Sequence, residues 1–204
     1  ISYNIAPAEE VNIIIGNNRL SIESVYWGIQ FFDKRNFDLI VHLAAYSGVQ
    51  EFNKNILKSF NNNVLATKNL VHFAFNKKNT KLIFASSAAV YGKVSSKKIS
   101  ENYILRPVNY YGLSKLACEN IIHNELKNKE INYAILRYFN VVGASPSKQI
   151  GPLKKNDTLF KNISIAMFKK SIDVRIYGNN LNTKDGTCIR DYIHVSDLSE
   201  IHIQ

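Results

Sequence analysis

Short unbroken apolar runs alternate along this chain with longer stretches in which apolar residues return every three or four positions. The runs have strand length and lack polar alternation, which marks strands covered on both faces; the longer stretches have the period of amphipathic helices. The predicted order is a strand at 11–16, a helix at about 22–34, a strand at 37–43, a long helix at about 53–76, a strand at 81–86, a helix at about 111–129 and a strand at 132–138. Strand and helix in regular alternation predict an α/β fold on a doubly wound parallel sheet. Right-handed crossovers place the carboxyl ends of such strands along one rim, where ligands bind.

The pattern changes after residue 143. Ser, Pro, Gly and Lys dominate 143–157, which reads as a loop and a boundary, so two domains are expected, 1–143 and 144–204. The second is the smaller. It carries a predicted helix near 158–170, a short strand at 174–177, a turn-rich loop around Gly178-Asn179-Asn180 and Asp185-Gly186, then a run at 190–195 and a final partial helix.

Composition narrows the class without changing it. At 204 residues, 46% hydrophobic and 21% charged, the chain is long enough for one substantial core and is ordinary for a soluble globular domain. No run approaches the ~18 apolar residues of a membrane span, and no charged-then-apolar leader opens the sequence, so no membrane partner and a cytoplasmic location are expected. Cys118 and Cys188 form no CxxC pair and the five His show no ligand spacing, so no metal is expected. The net charge of +10 comes from lysines scattered as short pairs, with little Arg, which argues against nucleic acid as the partner. A basic surface still favours a phosphate-bearing ligand. The chain begins at Ile1 and its one Met is Met167, which reads as a fragment, a processed product or the remnant of a longer reading frame.

The most informative chemistry is Tyr111-Gly112-Leu113-Ser114-Lys115, downstream of the Ser87 that closes the apolar run 82–87. A Tyr and a Lys at this spacing lie one turn apart on the same face of a helix. A free phenol ionises near pH ~10 and is a poor base at neutrality, but an adjacent cation stabilises the phenolate and draws its pKa down. Ser87 supplies a hydroxyl. Because a Tyr-x-x-x-Lys pair arises readily by chance in this composition, its weight comes from order. It follows a strand ending in Ser86-Ser87 and the loop Val90-Tyr91-Gly92, and another apolar run, Tyr133 to Asn140, comes after it.

Several segments together carry a resemblance: Phe37 to Ala45, Asn61-Asn62-Asn63-Val64, Phe84 to Gly92, Tyr111 to Lys115, Leu136 to Gly143 and Asp185 to Val195. They resemble the extended short-chain dehydrogenase/reductase family, and within it the UDP-glucose 4-epimerases, over about residues 11–204. The resemblance implies a Rossmann-like sheet, NAD as cofactor, a UDP-sugar as substrate, and interconversion of UDP-glucose and UDP-galactose through C4. By it, Tyr111 is the base, Lys115 lowers the phenol pKa and holds the cofactor ribose, and Ser87 bonds the sugar hydroxyl. Asn17, Asn18, Leu43, Ala44, Ala45, Ser47, Asn62 and Phe139 match cofactor contacts. Asn140, Thr158, Arg175, Ile176, Tyr177 and Arg190 match substrate contacts. The long helices at 53–76 and 111–129 match those through which members pair as homodimers in a four-helix bundle.

The chain also departs from that pattern. None of its nine glycines forms GxGxxG or GxxGxxG, the turn that seats a pyrophosphate on a helix N-terminus. The sheet is therefore expected to lack its first βαβ segment, with 11–16 as a candidate to fill the gap, and turnover by this chain is expected to be impaired or absent. Asn17 stands where an Asp is expected, and Ala89 where a hydroxyl is. Ala88-Ala89 occupies the place of the Asp-Glu pair of the dehydratases, which argues against elimination of water. The alternatives are another sugar-nucleotide-modifying activity and a non-catalytic remnant.

Overall fold

The computed structural model describes residues 13–15, 18–20, 37–47, 49–77, 79–94, 98–129, 131–147, 149–152, 158–170, 174, 176 and 178–204. The chain divides into two compact units, Ile1–Tyr138 and Phe139–Gln204. The sequence placed the boundary after the next short strand, at 143/144.

In the first unit, β1 (Ile13–Ile15) and β2 (Asn18–Leu20) pair antiparallel, with Ile13 opposite Leu20 and Ile15 opposite Asn18. The expected strand at 11–16 is thus half of a two-stranded sheet of its own, not a member of the parallel sheet. The sequence held the signal: Gly16-Asn17 directly after Ile13-Ile14-Ile15 is a pair that suits a two-residue hairpin link.

The parallel sheet is β3 (Leu39–His42), β4 (Lys81–Ser87) and β5 (Tyr133–Tyr138), in the order β3-β4-β5. The register aligns His42 with Phe84 and Ser87 with Tyr138. The connections are helical. The single helix expected at 53–76 is two, α1 (Val49–Lys54) and α2 (Ile56–Phe75). They part at Asn55, whose side chain accepts from Lys58 N at 3.1 Å and caps α2. The crossover from β4 to β5 runs through a 3-10 turn, Ala88–Val90, and α3 (Tyr110–Leu126). Asn109 caps α3 by accepting from Gly112 N at 2.7 Å.

Val71 of α2, Leu82 and Phe84 of β4, and Cys118, Ile122 and Leu126 of α3 form the core. Each large apolar side chain buried there contributes about 1.5–3 kcal/mol. Together they fix α2 and α3 on β4. Gly112 has a separate role in this packing, because a Cβ there would stand 2.6 Å from the Ala89 carbonyl. Only a residue without one lets α3 start so close to the turn that follows β4.

In the second unit, β6 (Asn140–Val142) and β7 (Tyr192–His194) pair in parallel, and β7 leads straight into α5 (Val195–Ile201). Between β6 and β7 in the chain, α4 (Leu159–Phe168) matches the helix expected at 158–170. The strand expected at 174–177 lies largely outside the described residues. Gly143, at φ +99, ends β6 where a Cβ would fall 2.1 Å from His194 Nε2, so glycine is required both by conformation and by space. No helix among the described residues is long and apolar enough to cross a membrane.

Candidate active site

β4 delivers Ser87 to the carboxyl end of the sheet and ends there. Ser87 is extended, at φ −148 and ψ 147, and its hydroxyl accepts from Ala89 N at 3.2 Å, starting the 3-10 turn. The same hydroxyl lies close enough to the Tyr111 phenol to draw its pKa down against burial. Tyr111 lies in the first turn of α3 with the edge of Phe52 against its ring, the centroids 6.0 Å apart. Ser87 and Tyr111 are thereby brought together.

Lys115 sits one turn further on and is buried. Its Nζ donates to the Ala85 carbonyl at 2.7 Å and lies 4.8 Å from the centroid of the Phe84 ring. Burial lowers its pKa to about 8, against the pull of Cys118 and Glu119 toward the charged form. The electrostatics of Tyr111 differ from the sequence expectation. Burial raises the phenol pKa, and what opposes it is the Ser87 hydroxyl. The ammonium one turn away donates to a strand carbonyl, and burial is the larger influence on the phenol.

The rim beside β4 is formed by the residues that follow β3. Leu43 and Ser47 are exposed there and Ala44 and Ala45 half-buried. Asn63 of α2 fixes this segment: its Oδ1 accepts from Tyr46 N at 2.8 Å, and its Nδ2 donates to Tyr46 O and to Ser114 Oγ, both at 3.2 Å. Ser114 Oγ in turn donates to Tyr111 O at 2.8 Å. The loop after β3 and the first turn of the Tyr111 helix are therefore tied to one amide. Sequence reasoning named Asn62, which is half-buried, and missed Asn63. The signal was the spacing of Ser59, Asn63, Thr67 and Val71, which continues the buried stripe of α2.

His42, the last residue of β3, is a further buried group the sequence did not single out. Its Nε2 is 3.0 Å from Thr67 Oγ1, whose own hydrogen goes to the Asn63 carbonyl at 2.8 Å. Burial, with the nearby Lys115 charge second, depresses the His42 pKa to about 3.

Beneath Ser87, Ser86 Oγ hydrogen-bonds Glu119 Oε1, and Arg137 of β5 forks onto Glu119 with Nη2 to Oε2 at 2.8 Å and Nε to Oε1 at 3.1 Å. Neither partner carries a sequence signal, because the pair forms between a helix and the next strand.

The remaining predicted contacts fall elsewhere. In the second unit, Asn140 Nδ2 donates to Asp191 O at 2.9 Å, tying β6 to the residue next to Arg190. Arg190 is exposed and donates from Nη1 to Ile189 O at 3.4 Å. Phe139 and Ile176 are exposed, and Thr158 holds the N-cap position of α4. Asn18 lies in β2. Asn17, Arg175 and Tyr177 lie outside the described residues.

Residues 18–204 match the NAD dependent epimerase/dehydratase family. Among curated relatives, the UDP-glucose 4-epimerase of Mycoplasma genitalium is 42% identical over 169 residues, which are 81% of this chain and 49% of that protein. The UDP-glucose 4-epimerase of Dictyostelium discoideum is 38% identical over 177 residues, 85% of this chain and 52% of that one. The chain spans about half the length of these relatives. Among solved structures, a UDP-glucose 4-epimerase superposes with a TM-score of 0.80 at 35% identity, over 89% of this chain and 56% of the other. The enzyme from Bifidobacterium longum, solved with NAD+ and UDP, gives a TM-score of 0.79 at 31% identity, again over 89% of this chain and 56% of the other.

Proposed function

The chain belongs to the NAD dependent epimerase/dehydratase family, and from that premise we propose that its site is built to interconvert UDP-glucose and UDP-galactose by oxidation and re-reduction at sugar C4. The observation that carries this reading is the convergence of Ser87, at the end of a parallel strand, and the Tyr111 phenol, with the buried Lys115 ammonium, one helical turn on, bonded to the same strand. A hydroxyl, a phenol and a buried amine at a strand tip are the donor set that a ribose and a sugar hydroxyl require, so the residues present fit the nicotinamide-ribose half of NAD. Lys115 and the segment Leu43 to Ser47 would hold it. NAD, when bound, supplies the acceptor and the returning donor of the C4 hydride.

The chain's own residues handle the proton. Ser87 orients the sugar O4, and the Tyr111 oxygen takes its proton as C4 is oxidised and gives it back to O4 when C4 is reduced from its opposite face. Net redox is zero. Exchange of the Ala85 carbonyl for a ribose hydroxyl at Lys115 would bring the cation nearer the phenol and lower a pKa that burial alone holds up. Asn140, Thr158, Ile176 and Arg190, with Arg175 and Tyr177, are assigned to the substrate, and Phe139 to the cofactor. A guanidinium is suited to a diphosphate because its fork makes paired charge-assisted hydrogen bonds.

The test is to incubate the purified chain with NAD and UDP-galactose and to separate the products. UDP-glucose supports epimerisation. A 4-keto-6-deoxy product assigns the site to a dehydratase instead, and absence of both product and bound nucleotide removes the catalytic reading for this chain.

A further inference from the structure

Glu119 is the one acidic side chain in the buried set of the first unit's described residues, and groups from three directions bear on it. Ser86 Oγ, next in sequence to Ser87, hydrogen-bonds its Oε1. Arg137, which the β4 to β5 register places opposite Ser86, forks onto both carboxylate oxygens. Arg137 is held in turn by Tyr91 Oη at 2.9 Å and the Glu101 carbonyl at 2.8 Å. The third direction is along α3. Lys115 precedes Glu119 by one helical turn, on the same buried face, and feels its charge.

A salt bridge of this kind is a poor device for stability alone, because desolvating two charges offsets most of their attraction. What it does here is geometric and electrostatic. It pins the end of β4 to α3 and β5 immediately beneath Ser87, and it sets a negative charge one turn behind an ammonium that would otherwise be buried among apolar groups. The groups acting on that ammonium are His42 from β3, the Ala85 carbonyl and Phe84 ring from β4, and Cys118 and Glu119 from α3 itself. His42 is neutral, and a buried thiol carries no charge at neutral pH. Glu119 is thus the counter-charge.

We propose that Glu119 is a positioning residue for Lys115, a carboxylate locked by Arg137 and Ser86 that keeps the site's ammonium charged and in place beneath Tyr111. The role assigned to Lys115 rests on the reaction proposed above, whereas the pairing with Glu119 does not.

The experiment follows the Lys115 side chain by NMR in protein carrying 13C-labelled lysine, its signal assigned with Lys115→Arg. In Glu119→Gln the titration midpoint of Lys115 is expected to fall below that of the wild type, and Glu119→Asp is expected to restore it most of the way. Should Glu119→Gln fail to fold, as judged by circular dichroism, the double variant Glu119→Met/Arg137→Met removes the carboxylate without stranding a buried charge and is expected to show a smaller fall, because the Arg137 cation leaves with it. An unchanged midpoint in the variant that folds overturns the proposal, whether or not the chain epimerises. A fallen midpoint in a chain whose wild type makes no UDP-glucose keeps the positioning role and sinks the reaction alone. Where the wild type turns over, Glu119→Gln is expected to lower kcat severalfold while leaving KM for the UDP-sugar near its original value.

Discussion

Lys115 and Ala85 are joined by a 2.7 Å hydrogen bond from the side-chain ammonium to the strand carbonyl, so the helix that carries the phenol is anchored to the strand that carries Ser87 through a charge. That single bond satisfies a buried cation, while burial is the larger influence on the Tyr111 phenol.

Tyr111→Phe separates chemistry from architecture. The ring keeps its edge contact with Phe52, and only the phenol oxygen is lost, so circular dichroism and the melting transition should stay close to those of the wild type. Loss of a positioned proton acceptor costs about 10²–10⁴ in rate. A drop of that size in UDP-glucose formation, with the fold unchanged, is the expected outcome; unaltered turnover would sink the assignment of Tyr111 as the base.

Asn63→Ala removes one side chain and strands both backbone groups of Tyr46. An unmade hydrogen bond at a buried polar group costs about 1–3 kcal/mol, so urea unfolding should show a loss of that order. The local effect is more diagnostic. Amide exchange at Tyr46 and through the segment after β3 should accelerate well beyond that in β4 and β5, whereas Asn62→Ala should leave it near the wild-type rate.

Gly112→Ala places a methyl group 2.6 Å from a backbone oxygen, which cannot swing aside as a side chain does. Overpacking of this kind costs about 1–3 kcal/mol. The strain falls where α3 meets the turn after β4, so a lower melting temperature should come with weakened coupling between Ser87 and Tyr111. Retained stability in Gly112→Ala would mean that α3 begins farther from Ala89 than described.

The sequence made the strand-helix-strand order from residue 37 to 138 legible because each strand is an unbroken apolar run and each helix has a regular apolar face. It made Tyr111 and Lys115 legible because helix spacing is a local property. The hairpin at 13–20 was misread for the opposite reason: Ile13-Ile14-Ile15 is apolar enough to pass for a buried parallel strand, and the decisive cue lay in the two residues after it. The hydrogen bond from Lys115 to Ala85 leaves no trace in sequence, since any residue at 85 presents the same carbonyl. Glu119 and Arg137 meet only because a crossover returns β5 beside β4, and pairing of that kind is set by topology. Asn55 was readable in principle as a helix cap but was absorbed into the long periodic stretch around it.

His42 should make the first unit acid-sensitive. Its folded pKa is about 3 against an ordinary value of 6.5, with burial the larger cause and Lys115 the smaller. Below pH 6.5 the unfolded chain takes up a proton on this ring that the folded chain refuses, so folding loses stability as pH falls. The contribution is complete above pH 6.5 and disappears progressively toward pH 3, because the slope of stability with pH follows the excess of protons bound by the unfolded state. Over a shift of this size the loss is on the order of several kcal/mol. His42→Gln keeps an amide that can donate to Thr67 Oγ1 and removes the titration. Urea unfolding of both proteins from pH 7 to pH 4 should show the wild type losing stability more steeply than the variant. Parallel curves would mean that His42 titrates alike in both states, contrary to its burial beside an ammonium.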